Sequence, residues 1–157
     1  MPRRNYKKNK AIDDPVYSSH EVSKLINYVM MDGKKTVAQK IVYKVLERFT
    51  KEEKEPLKVL HQAISYVAPQ HEVKPRRLGG ASYLVPIEVR RERKLFLALN
   101  WIVDAAKTRS NKEYKSFENK LYTELLEASQ NQGNAVSKRT QTEKLAEANK
   151  AFAHLKW

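Results

Sequence analysis

The sequence predicts a mainly α-helical domain: about six helices in one bundle, a protruding two-stranded β-hairpin, and a basic arm ahead of both. Three observations predict it. Apolar residues recur at helical spacing along most of the chain, which places a stripe on one side of each helix. That pattern breaks once, over residues 72–90, where β-branched and aromatic residues flank Gly79-Gly80. The chain has 157 residues, a length that fits one compact core, so residues 1–157 are read as a single domain.

Residues 1–18 form the arm. Arg3, Arg4, Lys7, Lys8 and Lys10 precede any acid, and little apolar area is present to offset the entropy of ordering, so the segment is expected to order only on a polyanion. Asp13-Asp14 before Pro15 reads as a turn rather than an acid–base pair. The first helix starts near Ser19. Ser18 and Glu21 have capping-box spacing, Val22, Leu25, Ile26 and Val29 make the stripe, and Asp32-Gly33 stops it. The second faces inward with Val37, Ile41, Val45, Leu46 and Phe49. Pro56 suits the first turn of the third, whose stripe is Leu57, Leu60, Ile64 and Val67, and Pro69 ends it.

In the hairpin, Gly79-Gly80 supplies the positive φ angles of a two-residue turn. That register sets Arg76 across from Tyr83 and Lys74 across from Val85, with Arg77 on the opposite face. Pro75 and Pro86 cannot donate to a ladder, so each needs a free strand edge and the ribbon is not part of a larger sheet. At ~3.3 Å per residue it projects on the order of 25 Å. The fourth helix runs from about Arg91 to Thr108 on Leu95, Leu99, Ile102, Val103 and Ala106. The fifth spans about Tyr114 to Ser129 on Phe117, Leu121, Leu125 and Ala128, with Gly133 as its C-terminal cap. The sixth begins near Ser137 and carries Leu145, Ala148 and Phe152.

Charge points to the partner. Thirty-one Lys and Arg face 18 Asp and Glu, a net +13. A polyanion offsets such an excess best, because Lys and Arg on phosphates release condensed counterions. The cations cluster: Lys34 and Lys35 after Gly33; Lys74, Arg76 and Arg77 on the ribbon; Arg90, Arg91 and Arg93 where it joins the fourth helix; Lys107, Arg109, Lys112 and Lys115 at the next joint; Lys138, Arg139 and Lys150, with Trp157, toward the end. A ribbon with Arg on both faces suits insertion into an RNA groove, where Tyr83 can stack on a base. A cationic surface with no partner, or an architectural DNA-binding protein with a similar ribbon, are the competing readings.

Catalysis finds no support. With no Cys, thiol nucleophiles and Cys-ligated zinc are excluded. His20, His61, His71 and His154 are scattered, and neither His-Glu pair is followed by a second His at metalloprotease spacing. His61 reads as a half-buried helix residue. No Gly-rich phosphate loop exists, and an RNA-modifying enzyme would need a cofactor loop or catalytic pair. The chain is therefore read as a non-enzyme without cofactor or metal. The start lacks a secretory core and no run approaches the ~18 apolar residues of a membrane span, so a cytoplasmic protein without a membrane partner is expected.

The residues then resemble a family. Asp32-Gly33-Lys34-Lys35, the segment Val73-Lys74-Pro75-Arg76-Arg77-Leu78-Gly79-Gly80-Ala81-Ser82-Tyr83-Leu84-Val85-Pro86-Ile87-Glu88-Val89, and the ending from Ala146 to Trp157 are similar to universal small-ribosomal-subunit protein seven, in its bacterial form, and fall in that family's order and spacing. The resemblance implies a six-helix domain with a protruding hairpin, and a structural constituent of the small ribosomal subunit. It implies a protein that binds the 3′ major domain of the ribosomal RNA (rRNA), nucleates assembly of the subunit head, and sits at the subunit interface near the decoding centre and the transfer RNA (tRNA) exit site. Messenger RNA (mRNA) passes nearby, small-subunit proteins nine and eleven are neighbours, and several members repress their own mRNA. Carried over by position, Arg3, Arg4, Lys34, Lys35, Arg76, Arg77, Arg93 and Arg109 contact RNA, together with Lys138, Arg139 and the chain end. Leu78, Gly79, Gly80, Ala81, Ser82 and Tyr83 face the exit-site tRNA. Pro75, Arg91, Asn100, Lys150 and Lys156 depart from residues usual in the family; at the last two a Lys replaces a frequent Arg and loses bidentate geometry.

Overall fold

The computed structural model describes residues 12–155. Six α-helices, one two-stranded sheet and a closing 3-10 turn follow one another: α1 (His20–Val29), α2 (Lys35–Lys51), α3 (Pro56–Val67), β1 (His71–Leu78), β2 (Ala81–Glu88), α4 (Arg91–Thr108), α5 (Phe117–Ser129), α6 (Asn134–Ala148) and the 3-10 helix Lys150–Leu155. The arm cations Arg3, Arg4, Lys7, Lys8 and Lys10, and Trp157, lie outside the described residues.

Helix α5 lies at the centre, packed on α2, α3, α4 and α6. Leu121 and Leu125 are fully buried there among Phe49, Leu60, Leu99 and Ile102. The stripe of α1 holds as read, with Val22, Leu25, Ile26 and Val29 buried. Elsewhere the stripes are rotated. On α2 the buried row is Ala38, Val42, Val45, Leu46 and Phe49, which leaves Val37 exposed and Ile41 half-covered. On α3 it is Val59, Leu60, Ala63, Ile64 and Val67, with Leu57 outside. Leu95 is half-buried rather than central on α4. In α2 the buried position falls on Ala38 rather than on its neighbour Val37, and in α3 Ala63 is buried while Leu57, in the first turn, faces out.

Several ends also move. Ser19, not Ser18, caps α1: its hydroxyl accepts from the Val22 amide at 3.5 Å, while Ser18 takes a left-handed φ of 47°. That helix ends at Val29, and Asp32 and Gly33 form the left-handed turn beyond it. Helix α5 begins at Phe117, capped by Ser116. Gly133 caps not the end of α5 but the start of α6, at φ 94°, where an added Cβ would sit 3.0 Å from a Glu127 oxygen. Helix α6 therefore starts at Asn134; Ala135, Val136 and Ala146 are its buried residues, Leu145 is exposed, and Phe152 falls in the 3-10 turn. His61 is 74% exposed, 3.3 Å from Glu21, rather than half-buried.

The hairpin keeps its register, with Arg76 opposite Tyr83, Lys74 opposite Val85 and Leu78 opposite Ala81. Strand β2 is not free from Tyr83 down. Val85 is fully buried, β2 packs on the 3-10 turn, and Tyr83 lies 5.3 Å from the Phe152 ring. The C-terminal turn thus supplies the packing partner that an isolated two-stranded ribbon needs. Residues 13–18 also depart from an extended arm: the Asp14 carboxylate accepts from the amides of Val16 and Tyr17 and from the Tyr43 hydroxyl at 2.7 Å.

Candidate nucleic-acid interface

Exposed and half-exposed cations gather in two places. The first is the joint between ribbon and α4. Lys74, Arg76, Arg90 and Arg93 surround a cleft of about 600 Å³ with Glu72, Glu88 and Ile87. Strand pairing brings Lys74 and Arg76 to one face, and the short turn at Val89-Arg90 folds α4 back beside them. Glu72, mostly shielded, takes Lys74 at 3.4 Å and Arg93 at 3.3 Å. Arg93 also lies over the Phe96 ring at 4.9 Å, and Phe96 meets Tyr28 edge-on at 5.6 Å. One carboxylate holding two side chains fixes the cleft without cancelling it, because Arg77, Arg90 and Arg91 stay exposed with no ion pair among the described residues.

The second is the end of the bundle where α1 stops, α2 starts, and α4 passes to α5. Lys34, Lys35, Lys107, Lys112 and Lys115 are all exposed there. Lys34 has Asp32 at 3.9 Å, both well solvated, a contact worth little. No acid occupies the first turn of α2, and Lys34 gives no side-chain cap, so the positive helix end adds to the lysines.

Arg109, expected to touch RNA, is committed inside the fold. Its side chain is 10% exposed, and the guanidinium donates to Glu124 Oε2 at 2.5 Å and 2.8 Å, to Glu127, and to the Tyr114 hydroxyl at 3.2 Å. Burial opposes the charge, but the hydrogen bonds to Glu127 and Glu124 outweigh it and raise its pKa above the ordinary value. The other oxygen of fully buried Glu124 accepts from the Ala135 amide at 2.9 Å, at the start of α6. Lys120, also buried, donates to the Arg109 carbonyl at 2.6 Å and to Asn111 at 2.5 Å. Together these bonds fix the α4–α5 loop that carries Lys112 and Lys115. Composition gives no sign of Glu124 or Lys120; the sequence signal is the Glu124/Glu127 pair, three apart beside the Leu121–Leu125–Ala128 stripe.

Arg139 is likewise partly committed, donating to the Tyr66 carbonyl at 2.8 Å beside Glu143 at 3.6 Å. Lys138 lies 5.9 Å from the Trp101 ring centroid, and Lys150 lines a cleft of about 530 Å³ between the hairpin base and α6. Leu78 to Ser82 form the exposed tip of the ribbon. Around α2 and α3 the pattern differs: Lys44, Arg48, Lys54 and Lys58 each face a glutamate. Among the described residues no cluster of His, Asp and Glu could hold a metal, and no helix is long and apolar enough to cross a membrane.

The family model for ribosomal protein S7p/S5e matches residues 1–150. Among curated relatives, small ribosomal subunit protein uS7 of Thermosipho africanus is 51% identical over 100% of both chains. The proteins of the same name from Moorella thermoacetica and Thermoanaerobacter pseudethanolicus are 50% and 48% identical, again over the full length of each. With a basic cleft at the base of a hairpin, a lysine-lined bundle end and this full-length similarity, the chain belongs to the ribosomal protein S7p/S5e family.

Proposed function

We propose that this chain is a structural constituent of the small ribosomal subunit, not an enzyme, and that it binds the 3′ major domain of the subunit's rRNA and nucleates head assembly. The observation that carries the RNA-binding reading is the sorting of charge. Around α2 and α3, Lys44, Arg48, Lys54 and Lys58 each face a glutamate, whereas at the ribbon joint Lys74 and Arg93 share Glu72, and at the bundle end Lys35, Lys107, Lys112 and Lys115 are exposed with no ion pair among the described residues and Lys34 has only a solvated Asp32 at 3.9 Å. Fixed Lys and Arg on a rigid helical frame select a folded RNA by the spacing of its phosphates, since A-form RNA hides its major-groove base edges. Lys34, Lys35, Lys107, Lys112 and Lys115 form one contact surface; Lys74, Arg76, Arg77, Arg90, Arg91 and Arg93 form the other. Lys138 and Lys150 are peripheral contacts, and the arm cations and Trp157 extend the surface. Arg109 is not among them.

The ribbon tip, Leu78 to Tyr83, is the element placed at the tRNA exit site, close to mRNA, and small-subunit proteins nine and eleven are neighbours in this reading. Repression of the chain's own mRNA would use the same two surfaces. The test is filter binding of the purified protein to the 3′ domain RNA, against a structured RNA of equal length, across a salt series. At least ~6 phosphate contacts predict about a thousandfold loss of affinity from low to physiological salt, with preference for the 3′ domain surviving. Equal affinity for both RNAs at every salt would reject site-specific binding.

A further inference from the structure

The lysine-lined end of the bundle contains a feature that charge does not explain. Met31 is 65% exposed and Val37 51% exposed, side by side at the α1–α2 turn. With Ile41 and Phe117 they floor an open groove of about 450 Å³, and Lys34 and Lys107 stand on its rim. Single exposed apolar residues are ordinary. A groove floored by several, with cations above, is not an ordinary solvated face.

The rim sorts the occupants. The chain's own arm carries Arg3, Arg4, Lys7, Lys8 and Lys10, the sign that Lys34 and Lys107 repel. A second copy would set the same lysines against themselves. An occupant that is apolar on its faces and anionic along its edge satisfies both the floor and the rim, and an unpaired nucleotide has that chemistry. Unstacked bases lie on aromatic and aliphatic side chains while the flanking phosphates meet Lys or Arg.

We infer that this groove takes one unpaired base of the bound RNA, seated on Val37, Met31 and Phe117, with its flanking phosphates at Lys34 and Lys107. The inference rests on the RNA-binding reading above and adds to it. Lysines alone give salt-dependent, sequence-tolerant attraction. An apolar seat between them requires a base that can leave the stack at one place, so the groove favours a junction or bulge over a regular duplex.

Two variants leave every charge in place. Met31→Ser with Val37→Ser removes the floor, and Val37→Trp fills it; all the altered side chains are more than half exposed. With the 3′ domain RNA as probe, each is expected to lose about tenfold or more in affinity at an unchanged salt slope. Binding to a regular RNA duplex of equal length should stay as in the wild type. Backbone acylation of the RNA should show one unpaired nucleotide altered by the wild-type protein and returned to its free reactivity by Val37→Trp. If both variants bind the 3′ domain RNA as the wild type does, the inference is wrong, and the groove's partner is a protein or nothing. If the wild-type protein itself shows no preference for that RNA, the rRNA reading falls and takes the inference with it.

Discussion

Replacing Arg109 by Met tests whether the α4–α5 loop is held by charge inside the fold. Glu124 is fully buried, and its only cationic partner within 4 Å among the described residues is the Arg109 guanidinium. Glu127, which Arg109 also holds, is about one-third exposed and can turn to water. Methionine fills similar space but leaves the Glu124 carboxylate buried without a cation, held only by the Ala135 amide among the described residues. Removing one partner of a buried pair costs about 3–5 kcal/mol. For a domain of this size each kcal/mol moves the melting temperature by about 2–4 °C, so a fall of about 6–20 °C is expected. The assay is thermal unfolding by circular dichroism at neutral pH, with Arg77→Met on the exposed ribbon as control, expected within about 0.5 kcal/mol of the wild type. Adding Glu124→Gln to Arg109→Met removes the stranded charge yet keeps an oxygen for the Ala135 amide, and should restore part of the loss. If Arg109→Met melts with Arg77→Met, or the double variant is less stable than the single, the buried pair is not what holds the loop.

Other perturbations give separate checks. Arg77→Ala and Arg90→Ala, both exposed, should each lower the salt slope of RNA binding by about one phosphate contact while leaving the melting temperature nearly unchanged, as read by filter binding and calorimetry. Gly133→Ala should destabilise by more than Gly80→Ala in chemical denaturation. Both residues have positive φ, but only at Gly133 does a Cβ come within 3.0–3.3 Å of side-chain atoms, so strain adds to conformational cost. The Tyr43 hydroxyl, raised to about 12 by burial and its hydrogen bond to Asp14, keeps its proton in the fold where an unfolded tyrosine loses it near pH 10. Its contribution to stability is thus full below about pH 10 and lost as pH rises toward about 12. Tyr43→Phe should flatten that part of an alkaline unfolding curve, and an unchanged curve would remove Asp14 and Tyr43 as its source.

The sequence was most legible where one face of an element decides everything. The hairpin register follows from Gly79-Gly80 and held at every pair, because a single slip would reverse which side chains meet. The limits of α4 held for a similar reason, since Arg90 opens it after a strand and Arg109 ends it. On α2 and α3 the periodicity was right but its phase was not. Val37 and Leu57 are better hydrophobes than Ala38 and Ala63, so composition favours them, while the buried face of each helix carries the alanine. In sequence Gly133 suits the end of α5, yet its positive φ serves the start of α6; a glycine between two helices carries no sign of which it caps. The basic clusters were visible as clusters, but not which members stay free. Arg109 looks in sequence like Lys107 and Lys112, and only the arrival of Glu124 and Glu127 from a later helix separates it from them.

That separation bears on how so basic a chain folds before it meets a polyanion. Lys107, Arg109, Lys112 and Lys115 fall within one short joint, and their mutual repulsion opposes ordering it. Placing a fully buried carboxylate under the one arginine, and a buried lysine on the loop's own carbonyl and Asn111, lets the joint order while its other cations remain outward. Lys74 and Arg93 on Glu72 repeat the arrangement at the ribbon. In both places a shielded acid holds the frame, and the neighbouring cations stay outward. Such a design predicts a division of effects: substitutions of the acids, Glu124 above all, lower stability first and RNA affinity through it, whereas substitutions of Lys107, Lys112 or Lys115 lower affinity with the fold intact.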